Sequence, residues 1–171
     1  NGTKEYWIRL GSDIDGEAGG DYSGRSVSMN SAGDRVAIGA PYNDGTASNA
    51  GHVRIYEYSS GSDSWSQLGS DIDGEAEYNY SGWSVSMNSA GDRVAIGALY
   101  NDGTAYNAGH VRVYERDASN TTIAPFGWTK LGSDIDGEAA GDNSGVSVSM
   151  NSDGDRVAIG AYYNDGTTGS S

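Results

Sequence analysis

A block of roughly sixty residues is written almost three times along this chain, and a repeat of that period is one supersecondary unit that needs stacked neighbours to bury its faces. The first copy runs from Leu10 to Tyr58 as LGSDIDGEAGGDYSGRSVSMNSAGDRVAIGAPYNDGTASNAGHVRIYEY. The second, from Leu68 to Arg116, reads LGSDIDGEAEYNYSGWSVSMNSAGDRVAIGALYNDGTAYNAGHVRVYER. The third starts at Leu131 as LGSDIDGEAAGDNSGVSVSMNSDGDRVAIGAYYNDGT, with no GHVRVYE segment after it. The copies are expected to be equivalent modules of one array: 11–68, 69–131 with an insert at 117–127, and an incomplete 132–171. Residues 1–10 end in the repeat-like WIRL at 7–10 and are expected to form the outer strand of a preceding or closing module. With Asn1 first and no signal-like segment, the chain reads as a mature protein or an excerpt of a longer array.

Inside each copy the apolar residues recur with period 2, which marks strands, and no helical period appears. SVSM at 26–29 sets Val27 and Met29 opposite Ser26 and Ser28. A tight SAGD turn follows, and RVAIGA at 35–40 then sets Val36 and Ile38 opposite Ala37 and Gly39. AsnAspGly at 43–45 carries turn residues that tolerate left-handed backbone. HVRIYEY at 52–58 and WSQL at 65–68 complete four short strands. Four antiparallel strands per copy predict an all-β fold of β-propeller-type blades, about three repeats. Val27, Val36, Ile38, Val53 and Ile55 are expected to point inward, with their equivalents in the other copies. Ala37, Gly39 and Ala40 remove bulk from the second strand, as do Ala95, Gly97, Ala98 and Ala158, Gly160, Ala161, so neighbouring sheets can approach closely there.

TyrSerGly at 22–24, SerValSerMet after it and GlyAlaPro at 39–41 together resemble an FG-GAP repeat. This is the blade of integrin α-subunit propellers and of many bacterial and algal surface proteins. The other copies carry GlyAlaLeu at 97–99 and GlyAlaTyr at 160–162, and SerGly stands at 23–24, 81–82 and 144–145. Closer still is the variant with a DGxAxGD lead-in, matched at 15–21 and 136–142. The resemblance covers nearly the whole chain outside 117–127. It implies a propeller serving as a binding or adhesion scaffold, extracellular or at the cell surface. One element departs from it: the DxDxDGxxD calcium loop of integrin-type blades is replaced by the short MNSAGDR at 29–35.

Charge narrows the partners. The net charge of −14 opposes nucleic acid, whose phosphates need clustered Lys and Arg. No apolar run approaches the roughly 20 residues that span a bilayer, so membrane insertion is not expected. With no cysteine, neither a disulfide framework nor a thiolate metal site can form.

The AspIleAspGlyGlu lead-in is the candidate metal motif. It supplies Asp13, Asp15, Glu17 and Asp21 in the first copy and Asp71, Asp73 and Glu75 in the second, where Asn79 takes the last place. The third copy supplies Asp134, Asp136, Glu138 and Asp142. Alternating carboxylates beside a glycine suit a hard, oxygen-seeking cation, so Ca2+ is the cofactor this motif would take if it binds one, ranked behind a purely local role. The competing reading is an acidic turn whose carboxylates hold local backbone. His52 and His110 share one repeat position and read as strand-end residues, with a ligand role as the alternative. Glycosylation sequons stand at Asn120, Asn79 and Asn1, the first of them in the insert.

Catalysis needs unlike groups converging on one point. Here the acidic and serine-rich elements recur in every copy, and the unrepeated 117–127 segment holds no His, Cys or Glu. No catalytic or organic-cofactor residue is therefore expected, and an enzyme built on a propeller ranks third. The leading expectation is a non-enzymatic module for adhesion or ligand binding through a repeated acidic surface, with protein or glycan ligands. The alternative is a structural unit that self-assembles into an array or fibre, its partners being other copies of itself or flanking repeats. A closed propeller usually needs four to eight blades, which the present repeats do not reach.

Overall fold

The computed structural model describes residues 6–166, all of them in strands, turns or loops. No helix long and apolar enough to cross a membrane occurs among them. In the first copy β1 (Ser26–Met29), β2 (Arg35–Ala40), β3 (His52–Ser59) and β4 (Ser64–Gln67) form an antiparallel meander in that order. The second copy repeats it with β6 (Ser81–Met87), β7 (Arg93–Ala98), β8 (His110–Arg116) and β9 (Trp128–Lys130). The third contributes the hairpin of β11 (Ser147–Met150) and β12 (Val157–Gly160). The register recurs: Ser26 faces Gly39, Ser84 faces Gly97 and Ser147 faces Gly160.

Two further strands tie the copies together. β5 (Ile72–Asp73) lies in the lead-in of the second copy but pairs with β3 of the first sheet. β10 (Ile135–Asp136) likewise runs from the third lead-in back to β8. The second and third acidic lead-ins are therefore straps on the sheet before them. Residues 6–10, expected as an outer strand, carry no strand. They pass beside the first sheet instead, where the Trp65 indole N–H donates to Leu10 O at 3.0 Å. Residues 1–5 lie outside the described range.

The second sheet is packed on both faces and the first and third on one each, which revises the expected core. Register places Val27, Met29, Val36 and Ile38 on one face, and Ser26, Ser28, Ala37, Gly39, Val53 and Ile55 on the other. The small-residue face of one sheet receives the aliphatic face of the next. Ser26 Oγ donates to Gly82 O at 2.8 Å, and Met87 N–H donates to Ser28 Oγ at 2.9 Å. The second joint repeats this: Ser84 Oγ donates to Gly145 O at 2.7 Å and Met150 N–H to Ser86 Oγ at 2.9 Å. A backbone rail runs alongside, from Ser31 N–H to Ser89 O and from Ser89 N–H to Ser152 O. Gly82 and Gly145 reach these joints at φ of 84° and 87°, a region that favours glycine. That is the structural use of the SerGly pair in the repeat.

The main apolar core lies in the first joint. It joins Ala37, Val53, Ile55 and Ile72 to Val85, Met87, Ile96 and Trp128. Val85 is 9% exposed there, whereas its counterpart Val27 is 62% exposed because no described sheet precedes it. The expectation that Val27 points into a core is thus corrected for the first copy. Among the described residues the sheets follow one another without closing a ring. The all-β, antiparallel organisation expected from the alternation is what forms.

Candidate functional site

The straps decide where the acidic motif goes. Because β5 pairs with β3, Asp73 sits opposite His52, and Asp71 stands beside the same imidazole. His52 Nδ1 lies 3.6 Å from Asp71 Oδ2 and 3.9 Å from Glu17 Oε2. The second copy rebuilds the group from His110, with Nδ1 3.8 Å from Asp134 Oδ2 and 4.0 Å from Asp136 Oδ1. Glu75 completes it, and in each cluster of Glu, His and Asp the ligand atoms lie within 4.8 Å of one another. The histidines are 1% and 3% exposed, and neither Nδ1 has a hydrogen-bond partner. Burial holds both imidazoles below their ordinary range, against the opposing pull of Asp71 on His52 and of Asp134 on His110. Each ring turns an Nδ1 without a hydrogen-bond partner toward the carboxylates. Burial, and then the neighbouring Asp71, raises the Asp73 carboxyl.

An arginine flanks each cluster. Arg54 Nη1 is 3.6 Å from Glu17 and its Nη2 donates to Asp15 O at 2.9 Å. Arg112 pairs with Glu75 and, at 3.6 Å, with Asp134. The clusters differ at one neighbour: Gln67 donates to Asp71, whereas Lys130 Nζ lies 2.6 Å from Asp134.

The remaining acidic residues have other places. Asp13 is exposed and pairs with Arg9 at 3.2 Å, and Asp15 is exposed with only its carbonyl engaged. Asp21 and Asp142 are buried and accept from Asn43 Nδ2 at 2.8 Å and Asn164 Nδ2 at 3.0 Å. Glu138 faces Asn164 at 3.5 Å. In the second copy Asn101 donates to Asn79 at 2.9 Å instead. The last position of the motif thus anchors the AsnAspGly turn, whose Asn accepts from the glycine two residues on, as Gly45 N–H to Asn43 Oδ1 at 2.8 Å. The four carboxylates of one copy do not form one site: the structure gathers one glutamate of a copy with the aspartates of the next.

The sequons meet similar commitments. Asn120 Nδ2 donates to Pro125 O and Trp128 O, so a glycan there, which replaces one of the two amide hydrogens, would break at least one of these bonds. Asn79 is 4% exposed, and Asn1 lies outside the described residues.

Two surface features were not foreseen. The insert and the second sheet enclose a cavity of about 540 Å³ beside Trp128, Pro125, Arg112 and Lys130. A run of rings crosses the first joint, with Tyr42 and Tyr80 centroids 5.0 Å apart and Tyr80 and Tyr100 5.4 Å apart. Its signal was the tyrosine before each AsnAspGly and before the SerGly pairs of the first two copies, legible only once register brings copies side by side.

Comparison with family models and with curated proteins found no match for this chain.

Proposed function

We propose that the chain is a non-enzymatic structural repeat module that assembles head to tail through its two end faces. One observation carries this reading: the uncovered faces are the two halves of a joint that the chain already makes twice. At one end the aliphatic face is open, with Val27 62% and Met29 55% exposed. At the other, Ser147, Ser149 and Ala158 present the exposed small-residue face of β11 and β12. Internally these surfaces meet through serine hydroxyls and close glycine contacts. The strands that meet most closely in a joint are the first two of a repeat, both present in the third copy, whereas the Val53, Ile55 and Ile72 part of the first joint has no equivalent there among the described residues. A heterologous contact of this kind propagates into a ring or a filament, so each end fits another repeat of the same kind, whether from a flanking repeat or from a second copy of this chain.

Sedimentation across a concentration series tests it. The wild-type mass should climb with concentration, and Val27→Glu and Ala158→Glu should each give folded monomers. Mixed together, these two variants keep one intact end each and should form a dimer that grows no further. A wild-type protein that stays monomeric, or a mixture that stays monomeric, overturns the reading.

The tyrosines favour a second reading, ligand binding. Tyr78, Tyr80, Tyr100 and Tyr106 line a groove of about 500 Å³ together with Glu77, Asp102 and Asn107. Aromatic faces with carboxylates and amides suit a glycan. Binding of an oligosaccharide array, lost in Tyr78→Ala/Tyr106→Ala, would support it.

A further inference from the structure

We infer that the two Glu–His–Asp clusters are binding sites for a divalent transition metal of the Zn2+ class, one in each joint between a sheet and the strap of the next copy. The first would use Glu17, His52 and Asp71, the second Glu75, His110 and Asp134. Three observations converge on this. The donors are one imidazole nitrogen and two carboxylates, a set that suits zinc, whereas calcium takes oxygen alone. Each Nδ1 belongs to a buried ring, has no hydrogen-bond partner and faces those carboxylates. The same constellation is also built twice, from equivalent positions of different copies.

The spacing is close to what a metal needs. Bonds of about 2.0–2.1 Å at tetrahedral angles put ligand atoms roughly 3.3 Å apart. The separations of 3.6 and 3.9 Å from His52 Nδ1 close to that value with side-chain shifts of a few tenths of an ångström, and all three ligand atoms already lie within 4.8 Å of one another. A water would complete the tetrahedron. The metal would clamp three segments: the glutamate ahead of a sheet, the histidine on its third strand, and the aspartate of the strap.

Charge ranks the two sites. About His52, three carboxylates (Glu17, Asp71, Asp73) against Arg54 leave a local charge of −2. About His110, three (Glu75, Asp134, Asp136) against Arg112 and Lys130 leave −1. Lys130 also offsets the charge of Asp134 through its other oxygen, Oδ1, while Oδ2 faces His110. The His52 site therefore binds more tightly.

Titration calorimetry of chelator-treated full-length chain with Zn2+, and separately with Ca2+, tests the inference. Zinc should bind at two sites per chain of unequal affinity, a count that does not depend on whether chains stack. His52→Gln should abolish the tighter event and His110→Gln the weaker. Lys130→Gln should bring the weaker site toward the tighter. Because a buried histidine change can disturb folding, Asp71→Asn provides a second route, and it should weaken only the tighter event. In the unmodified protein, the Nδ1 resonances of both imidazoles should move on zinc addition. Zinc stoichiometry unchanged in the His52→Gln/His110→Gln double variant, imidazole resonances that do not respond, or calcium displacing zinc would each overturn the assignment.

Discussion

Three glycines at one repeat position separate contacts within the chain from contacts at its end. A Cβ built on Gly39 would stand 2.1 Å from Gly82 O and 2.4 Å from Ser26 Oγ. On Gly97 it would stand 2.1 Å from Gly145 O. On Gly160 it meets nothing closer than 3.6 Å except Ser147 Oγ, at 2.3 Å. In Gly39→Ala the next sheet must retreat by about 1.3 Å to reach an ordinary contact near 3.4 Å. That breaks the hydrogen bonds between Ser26 and Gly82 and between Met87 and Ser28. At about 1 kcal/mol each they contribute about 2 kcal/mol. Overpacking adds about 2 kcal/mol, and the lower backbone entropy of alanine in a strand returns roughly 0.5–1 kcal/mol.

The net cost is about 3 kcal/mol, a fall of roughly 6–12 °C in Tm for a chain of this size. Gly97→Ala should match it. Gly160→Ala should leave Tm within about 2 °C, because Ser147 can rotate away, yet it should block head-to-tail assembly. Thermal melts by circular dichroism, run at a concentration where the wild type is monomeric, give the comparison. If Gly39→Ala melts no lower than Gly160→Ala, the sheets do not meet through this seam and the reasoning fails.

Trp128 is fully buried and donates its indole N–H to Leu68 O, whereas its counterpart Trp65 is only half-buried. Trp128→Ala should cost about 3–5 kcal/mol in chemical denaturation, with Trp65→Ala costing clearly less. Asn43→Ala should destabilise more than Asn101→Ala, since the first strands the buried Asp21 carboxylate and the second only the neutral Asn79 amide; matched urea curves decide it. The Asp117 carboxyl is held below its ordinary value by bonds from the Ser119 hydroxyl, the Ser119 amide and Thr129. A depressed folded value means its contribution is present above the unfolded pKa and lost as pH falls through the folded one. Side-chain NMR titration should therefore give a higher midpoint in Ser119→Ala and in Thr129→Val.

The strands and turns of this protein were legible in its sequence because they are local. Alternation in SVSM and RVAIGA placed β1 and β2, and AsnAspGly placed the turns, since a two-residue period and left-handed-tolerant residues act within a few positions of themselves. The small face at Ala37 and Gly39 was readable for the same reason, and it is where the next sheet lands. What surrounds each residue was not readable. Val27 and Val85 occupy the same place in identical SVSM segments, yet one is exposed and the other covered, because among the described residues only the second has a sheet before it. The metal-type clusters were hidden likewise. Glu17, His52 and Asp71 come from two copies, and nothing local says that the strap of one pairs back onto the third strand of the other. Where the repeated sequence is the same in every copy its local code is the same too, so the differences at those positions arise from stacking, the long-range step that sets which faces and side chains meet.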